Sequence, residues 1–365
     1  MTLADRGRLR KILVLSRYDQ NGASSRVRFY QFAPELEALG WQLEFSPLLG
    51  EDIVATIGRH RGLSDWAKIA AAYVRRIGAA FAAHHYDLVW IEKELLPFAP
   101  GLVEAVLRPR AVPYVVDYDD AIFHNYDAHR SGLVRRLFSR KLDWLLKGSA
   151  LVTAGSRYLE EYATRHGAQR VVAVPSCVQI SNYPKTAYPG GPELRLGWIG
   201  GVTTSPLLIG LLPVLQEAAR RLPLRVVAIG AGNIALPGVP LEQHRWSLAE
   251  ESLLLASCHA GVMPLHDSLF EKGKCAFKLV QYGAAGRPSV ASPVGANCDV
   301  LTSETGRLAD SAEEWLHAIE DCHANPRIWA EMGQAARRRC ETNYSVEAVS
   351  VRLAGHFREI LDRPN

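Results

Sequence analysis

The sequence predicts an α/β fold made of two domains, each built on a parallel sheet. The chain has 365 residues and a hydrophobic content of 48%, which is enough to bury two separate cores. Short apolar runs alternate with amphipathic segments along its whole length, as in parallel sheets covered by helices. A proline-rich stretch without periodicity, Pro175 to Pro192, separates two such series. We therefore expect an N-terminal domain over 1–180, a linker over 181–192 and a second domain over 193–344.

The strands are placed by runs of three to six mainly apolar residues between turn signals. In the first series these runs are Ile12–Ser16, Gln42–Ser46, Leu88–Ile91, Tyr114–Val116, Leu151–Ala154 and Val171–Val174. In the second series they are Leu194–Ile199, Leu224–Ile229, Ala260–Met263 and Ser289–Ala291. Helices are predicted between them, including Ser247–Ala256 and Phe277–Ala284, and the tail from Ser311 to Asp362 is predicted to be helical with a break near Asn343–Ser345.

Composition argues against several classes of protein. The chain has 42 basic and 38 acidic residues, and a net charge of +4 is too small to indicate nucleic-acid binding. The six cysteines form no C-x-x-C pair, so we expect reduced thiols rather than disulfides or a zinc site. No apolar run approaches the roughly 20 residues that span a bilayer, and the N-terminal region lacks a signal-peptide pattern. We expect a cytoplasmic protein that is able to contact the inner face of the membrane.

The turn after the first strand carries residues suited to anion binding. Gly22 allows close backbone approach, and Ser24 or Ser25 can cap the helix that follows. Arg26 and Arg28 add positive charge there, so a phosphate or sugar could bind at the helix start. An ordinary capping turn is the alternative. Pro34 lies within the helical pattern, so the helix is expected to be kinked or to begin late.

A second turn follows the strand Leu194–Ile199. Gly200 and Gly201 are followed by Thr203, Ser205 and then a proline at a first helical position. This order predicts a helix start with hydroxyl caps, and the two glycines leave the backbone amides open to a diphosphate.

The third turn lies in the segment 273–297, GKCAFKLVQYGAAGRPSVASPVGAN. On a helix that starts near Cys275, Lys278 and Gln281 share a face, and Lys274 lies just before the first turn. A lysine at this position could neutralise a leaving diphosphate, and Gln281 could bind a ribose. The alternative is an exposed helix with solvated lysines.

Acidic residues follow a strand of the first series. Asp117, Asp119 and Asp120 precede His124, at the edge of the sheet where ligands usually bind. Contact with an acceptor or with a donor sugar, structural capping and a magnesium site are all open for these carboxylates. Asp120 and His124 are the candidates for catalysis. The stretch 92–94, Glu-Lys-Glu, is placed similarly and could form an internal ion pair instead.

Taken together, these motifs resemble glycosyltransferase family 4, the retaining enzymes with two Rossmann-like domains facing each other across a cleft, the GT-B fold. The resemblance covers most of the chain. In the second half it rests on LGWIGGVTTSPLL, HRWSLAEE, AGVMPLHDS, the segment 273–297 and RRRCETNYSVEAVSVRL. In the first half it rests on residues 22–28, WIEKELLPF and VVDYDDAIF.

The chain departs from the family at one motif. The family has two glutamates, separated by seven residues, that flank the donor sugar and its ribose. The corresponding residues here are Gly273 and Gln281, within the pattern G-K-C-x-F-K-L-x-Q-Y of a recognisable branch. The resemblance therefore implies that Gln281 contacts the ribose and Lys278 the diphosphate.

The resemblance implies a hexosyltransferase type of activity without a metal or a cofactor. The donor would be a UDP- or GDP-linked sugar, and the acceptor a glycan, a lipid-linked molecule or a small molecule, as in polysaccharide biosynthesis. It implies that a C-terminal helix near 345–365 returns to the N-terminal domain. The implied donor-binding residues are Gly22, Arg26, Gly200, Gly201, Thr203, Ser205, Gly230, Trp246, Asp267, Lys274, Phe277, Gln281 and Val294.

Two other functions compete with this interpretation. VVAIGAGNIA contains G-x-G-x-x-A after a strand, as in oxidoreductases that bind dinucleotides, but the prolines that follow forbid the required helix. A GT-B-shaped binding or scaffold protein without turnover would explain the two missing glutamates.

Two basic amphipathic stretches bear on membrane contact. These are His129–Gly148 and Arg59–His85, which could lie on anionic lipid or pack within a domain.

Overall fold

The computed structural model describes residues 9–50, 63–109 and 112–362, and the chain forms two compact units. The first unit comprises Met1–Pro175 and Val349–Asn365, and the second comprises Ser176–Ala348. The N-terminal end of the predicted Arg59–His85 stretch, residues 59–62, lies outside the described residues, as do the last three residues of the predicted C-terminal helix.

The first unit contains a parallel sheet in which six strands are described, in the order β2-β1-β3-β4-β5-β6. The strands are β1 (Arg10–Leu15), β2 (Trp41–Phe45), β3 (Leu88–Glu92), β4 (Tyr114–Tyr118), β5 (Leu151–Ala154) and β6 (Val171–Ala173). The α-helices are Ala23–Arg28, Ala33–Ala38, Leu63–Phe81, Gly101–Leu107, His124–Asp127, Gly132–Phe138, Asp143–Gly148 and Arg157–Arg165, with 3₁₀ turns at Tyr30–Phe32 and Ala82–His85.

The position of Pro34 explains why the helical segment after β1 is divided into two helices. The helix Ala23–Arg28 ends, a 3₁₀ turn follows, and a new helix begins at Ala33 with Pro34 in its first turn. Proline lacks a backbone N–H and fits only the start of a helix, so the helix begins anew there.

The C-terminal helix Val346–Leu361 completes the core of the first unit. Phe357 is fully buried, and its ring lies 5.3 Å from that of Trp90 and 5.6 Å from that of Trp41. Phe29 contacts Trp90 from a neighbouring helix at 4.5 Å between ring centroids. The last helix of the chain therefore packs on a sheet formed by the first residues of the chain.

The second unit contains a parallel sheet with six described strands, in the order β12-β11-β10-β7-β8-β9. The strands are β7 (Leu194–Ile199), β8 (Leu224–Ile229), β9 (Leu241–His244), β10 (Ala260–Met263), β11 (Ser289–Ala291) and β12 (Gly306–Leu308). The α-helices are Ser205–Gly210, Leu212–Arg221, Glu251–Ala256, Leu269–Lys272, Phe277–Ala284, Asn297–Val300, Ala312–Ala324 and Pro326–Asn343, with 3₁₀ turns at Ile180–Asn182 and Val202–Thr204.

Apolar side chains cover both faces of this second sheet. Trp198 and Val226 belong to one buried cluster, whereas Ile199 and Val227 belong to the other. Successive residues of a strand point to opposite faces, so a strand buried on both sides is a continuous apolar run. This explains why β7 and β8 have the bounds predicted from the sequence.

No single helix among the described residues is both long enough and apolar enough to cross a membrane. The pair Val202–Gly210 and Leu212–Arg221 meets those criteria only when taken together, and it is bent by 56°.

Candidate functional site

In the second unit, two glycines bring the ends of neighbouring strands together. Gly200 follows β7 and donates its N–H to the carbonyl of Ile229 at 3.0 Å. Gly230 follows β8 with a φ of +77°, and a Cβ at this position would lie 2.6 Å from the Gly200 carbonyl oxygen and 3.2 Å from Trp246 Cβ. Only glycine fits here, and the backbones after β7, β8 and β9 converge at the carboxyl edge of the sheet.

The helix after Gly201 begins at Ser205, as the sequence predicts, but the predicted hydroxyl caps are wrong. Neither start position has a side-chain cap. Instead, Thr204 Oγ1 donates to the Gly201 carbonyl at 3.0 Å, and Ser205 Oγ donates to the Val202 carbonyl at 2.8 Å. The two hydroxyl groups are used as donors to the preceding turn, and Gly201 and Thr203 are exposed.

Lys278 reaches this glycine-lined edge from the helix Phe277–Ala284. Its Nζ lies 4.1 Å from the centroid of the buried Trp198 ring and 2.8 Å from the position of a Cβ on Gly200. Burial, together with the charge of Lys274, lowers the pKa of Lys278 to about 7. A cation held over an aromatic face at a sheet edge is suited to receive an anion.

The helix that carries Lys278 starts with a strained residue. Ala276 is buried and has a φ of +52°, in the left-handed region that residues with a Cβ rarely adopt. Phe277 follows and is half-buried against the core. The sharp turn at Ala276 directs the first turn of the helix toward the edge formed by Gly200.

Gln281, one turn further along, contacts a buried carboxylate. Its Nε2 donates to Glu251 Oε1 at 2.8 Å, and both residues are about 5% exposed. Glu251 also accepts hydrogen bonds from Trp246 Nε1, at 2.6 Å to Oε2, and from the hydroxyl of Tyr183. Trp246 remains 39% exposed, so its indole is fixed at one end and open to solvent on its ring.

Glu251 was not among the residues predicted from the sequence. It lies 30 residues from Gln281 along the chain, and it begins the helix Glu251–Ala256, which was predicted to start at Ser247. Two sequence signals mark it: it ends HRWSLAEE, one of the segments that carry the family resemblance, and it lies directly before an apolar helical run. A buried carboxylate from another helix therefore lies beside position 281.

The remaining predicted residues of the second unit lie in two neighbouring loops. Asp267 is exposed and forms an ion pair with Lys272 at 2.9 Å. Val294 is buried, and the next residue, Gly295, lies against the Lys272 carbonyl, where a Cβ would approach to 2.5 Å. Lys274 is half-buried, with its Nζ 6.0 Å from the Phe270 ring centroid. These loops flank the helix that carries Lys278.

In the first unit, a buried glutamate organises the turn after β1. Glu92, at the end of β3, accepts hydrogen bonds from Arg17 N and Ser25 Oγ, both at 2.6 Å, and from Ser24 Oγ at 3.1 Å. Burial raises the pKa of Glu92 above its usual range. Gly22 is buried at this turn. A Cβ at this position would lie 2.3 Å from Tyr18 Cβ, so a residue larger than glycine does not fit.

Lys93 holds two aspartates at the same edge. Its Nζ lies 2.8 Å from Asp119 Oδ1 and 3.0 Å from Asp120 Oδ2, and its φ is +65°. Burial raises the pKa of Asp120, and the neighbouring Asp119 carboxylate raises it further. These effects together outweigh the lowering by the charge of Lys93. Asp120 is the more accessible aspartate, with a side chain that is 31% exposed. A carboxylate of raised pKa at a sheet edge can accept a proton or bind a hydroxyl group.

The third aspartate of this stretch has a structural role. Asp117 is buried and accepts two hydrogen bonds from Arg28, at 2.9 Å and 2.6 Å, and one from Thr153. Arg28 is therefore engaged within the core and is not open to a ligand. No group of three or more histidine, cysteine or acidic residues in the described part of the chain is arranged to hold a metal ion.

The other two candidates in this unit are less open than expected. Both ring nitrogens of His124 are engaged, Nδ1 with Asp127 at 2.7 Å and Nε2 with the Tyr158 hydroxyl at 2.8 Å. A sugar contact by His124 would have to displace one of them. Arg26 is half-buried in the helix Ala23–Arg28. Glu94, which follows Lys93, forms a buried ion pair with Lys141 at 2.6 Å.

Comparison with protein families decides the class of the chain. The model described as "Glycosyl transferase 4-like domain" matches residues 25–177, and the model described as "Glycosyl transferase-like" matches residues 213–354. The chain belongs to the family 4, group 1 glycosyltransferases. No curated protein sequence matches this glycosyltransferase.

Solved structures confirm the predicted GT-B fold. Sucrose-phosphate synthase from Thermosynechococcus elongatus superimposes with a TM-score of 0.73 at 15% identity, over 96% of this chain and 99% of that one. Anabaena Alr3699/HepE, in complex with UDP and glucose, has a TM-score of 0.69 at 14% identity, over 96% and 100% of the two chains. A glycosyltransferase from Rickettsia africae has a TM-score of 0.66 at 11% identity, over 98% and 100%.

Proposed function

We propose that this glycosyltransferase moves a sugar from a nucleoside diphosphate sugar to an acceptor hydroxyl, with retention at the anomeric carbon and without a metal ion. The observation that carries the proposal is the position of Lys278, whose buried ammonium group lies against Gly200 and the ring of Trp198. Glycosyl transfer requires that negative charge on the departing diphosphate be stabilised, and a fixed cation in a poorly solvated site does so without a metal.

The contacts around Lys278 suggest a role for each expected donor residue. Gly200, Gly201 and Gly230 leave backbone space for the diphosphate, with Thr203 and Ser205 at the helix start beside it. The exposed ring of Trp246 can stack on the base. Gln281, held by Glu251, would present its amide to the ribose. Lys274, Asp267, Phe277 and Val294 would border the sugar.

In the proposed reaction the bond between the anomeric carbon and the phosphate oxygen breaks as the acceptor hydroxyl attacks from the same face. The departing phosphate oxygen takes the hydroxyl proton, and Lys278 stabilises the charge that develops on the diphosphate. On the acceptor side, Asp120 would bind the incoming hydroxyl group, with Lys93 fixing its position. Gly22, Arg26 and His124 would border the donor sugar or the acceptor.

For the donor, UDP-glucose is the first candidate, because solved structures of the similar Anabaena Alr3699/HepE contain UDP with glucose and UDP-glucose. GDP-linked hexoses are the second. We propose a glycan, lipid-linked or small-molecule acceptor in polysaccharide biosynthesis, on the cytoplasmic side of a membrane.

The test is release of free nucleotide by the full-length protein from UDP-, GDP- and TDP-sugars, with and without EDTA. We expect turnover with one donor, unchanged by EDTA. Lys278→Met should lower kcat by roughly 10²–10³ and change the affinity for UDP much less. The reason is that the variant loses a contact that acts mainly in the transition state. Lys185→Met, which removes an exposed lysine of the same unit, is the matched control and should have no effect.

A binding or scaffold protein without turnover is the second candidate. It is favoured by Gly273 and Gln281, which by the resemblance correspond to the two family glutamates. Tight UDP binding together with no nucleotide release from any donor, in the presence of acceptor extracts, would support it. Near-normal turnover of Lys278→Met would instead remove Lys278 from the mechanism.

A further inference from the structure

The first unit exposes large apolar side chains on one group of neighbouring segments. Phe98, Leu102, Val106, Leu133, Leu137 and Trp144, here called the apolar patch, are each between 51% and 71% exposed. Scattered single apolar residues are normal on a protein surface, whereas a contiguous set indicates a contact surface.

The segments that carry the apolar patch are packed together. The helix Gly101–Leu107 packs on Asp143–Gly148, and Arg108 Nη1 donates to the Trp144 carbonyl at 3.0 Å. The ring of Phe98 lies 5.5 Å from that of Tyr126, which lies 6.1 Å from Phe138 in the helix Gly132–Phe138. Residues four apart share a helix face, so Leu102 with Val106 forms one apolar row and Leu133 with Leu137 forms another.

Phe98 is held in solvent at an energetic cost. Its φ of +55° lies in the left-handed region, and its backbone N–H donates to the Tyr126 hydroxyl at 3.1 Å. A bulky side chain in this conformation is a genuine outlier, and an exposed ring gains little burial to offset the strain. Strain of this kind is typical of segments shaped for contact with a ligand or a surface.

A longer helix adds to the same region. Leu63–Phe81 packs against Gly101–Leu107, and the Tyr73 hydroxyl donates to the Pro97 carbonyl at 2.6 Å. Its exposed residues Trp66, Val74 and Phe81 fall within roughly 80° of one another around the helix axis. The outward face of this helix is therefore apolar along much of its length.

Basic residues lie on two of the helices that carry the apolar patch, Gly132–Phe138 and Asp143–Gly148. Arg136 and Lys147 are exposed, and Arg135 Nη1 donates to the backbone carbonyls of His129 and Arg130, contacts that leave its charge in place. The nearby carboxylate of Asp143 is already paired with Arg140 at 2.9 Å. A second copy of this chain would bring arginines toward arginines, whereas anionic phosphate would be complementary to them.

We propose that the apolar patch and the basic residues on its helices dock this protein on an anionic lipid bilayer. Phe98, Leu137 and Trp144 enter the boundary between headgroups and acyl chains, while Arg136 and Lys147 contact lipid phosphates. Membrane attachment through this surface is independent of the transfer chemistry, and it brings a lipid-linked acceptor to the protein.

The experiment is flotation of the full-length protein with vesicles of phosphatidylcholine alone, or containing about 30% phosphatidylglycerol. We expect at least tenfold stronger binding to the anionic vesicles at about 50 mM salt, largely lost at about 500 mM. Leu133→Glu with Leu137→Glu should weaken binding at least tenfold, and so should Arg136→Gln with Lys147→Gln. Leu253→Glu, at a residue 58% exposed in the second unit, is the matched control and should bind normally.

Two further measurements separate the outcomes. Near-UV circular dichroism verifies that each variant is folded, and nucleotide release with a water-soluble acceptor should stay within about twofold of normal in the Leu133 and Leu137 variant. Equal binding of all variants to anionic vesicles, or no binding at low salt, would overturn the proposal. A dimer in light scattering that the Leu133 and Leu137 substitutions dissociate would also overturn it, by assigning the surface to a second copy.

Discussion

The contact between Glu251 and Gln281 can be tested by exchanging the two residues. The buried Glu251 carboxylate accepts hydrogen bonds from Gln281, Trp246 and Tyr183. Glu251→Gln replaces one acceptor oxygen by an NH₂ group. In one orientation of the amide this group faces Gln281 and Tyr183, and in the other it faces the indole N–H of Trp246. A hydrogen bond to a charged group is worth about 1.5–3 kcal/mol, and an unpaired buried donor costs a similar amount, so we expect the free energy of unfolding to fall by about 2–4 kcal/mol.

Gln281→Glu alone should also be destabilising, for a different reason. Its carboxylate would lie about 3 Å from that of Glu251, and two buried carboxylates at this distance cannot both remain ionised. One of them has a raised pKa in the folded state, so stability falls as pH rises from about 5 toward that pKa. In the double variant the new amide donates to the new carboxylate, and we expect a coupling free energy of at least about 2 kcal/mol.

The assay is denaturation by guanidinium chloride at pH 5, 7 and 8 for the four proteins of the cycle, followed by tryptophan fluorescence. Glu250→Gln is the matched control, because Glu250 is an exposed neighbour whose partner is Ser247, and it should change stability by less than about 0.5 kcal/mol. If the double variant is as unstable as the sum of the two single variants, the two side chains do not interact and the assignment of Glu251 is wrong.

Three further predictions concern charge and backbone space. Because the pKa of Lys278 is lowered to about 7, kcat/KM for nucleotide release should fall by up to about tenfold per pH unit above 7, and Lys278→Arg should flatten this pH profile. Lys93→Met leaves Asp119 and Asp120 facing each other without their cation, and it should lower thermal stability by about 2–4 kcal/mol, an effect that should shrink at pH 4. Gly230→Ala places a Cβ 2.6 Å from a carbonyl oxygen at a φ of +77°, so it should cost at least about 1–2 kcal/mol in a thermal melt and weaken UDP binding.

Most of the fold was predictable because strands buried on both faces are continuous apolar runs. β7, β8, β10 and β11 have the predicted bounds, as does the helix Phe277–Ala284. The missed strands are β9, whose sequence LEQH is polar at the edge of the sheet, and β12, which has only three residues. Edge strands lack apolar neighbours on one side, so their sequences carry little of the pattern on which prediction depends.

The candidate site was less predictable because its contacts are distant in sequence. Gly200, Gly230 and Lys278 lie close to one another at the carboxyl edge of the sheet. Their closeness was predictable, because ligands bind at the carboxyl ends of parallel strands. Nothing local indicates that Glu251 meets Gln281, because the contact depends on how two helices pack. Nor does the sequence of VVDYDDAIF separate Asp117, which is bound to Arg28, from Asp120, which faces Lys93.

The return of the last helix to the first unit has a consequence for biosynthesis. Phe357 fills the space beside Trp41 and Trp90, so the core of the first unit is incomplete until residue 357 has been translated. At about 5–20 residues per second, roughly 10–40 s separate synthesis of the last strand of that unit from synthesis of Phe357. During this interval Trp41 and Trp90 lack the packing that Phe357 provides, whereas the second unit, which is continuous in sequence, can fold as soon as it leaves the ribosome. The unit whose synthesis begins first is therefore the unit that finishes folding last.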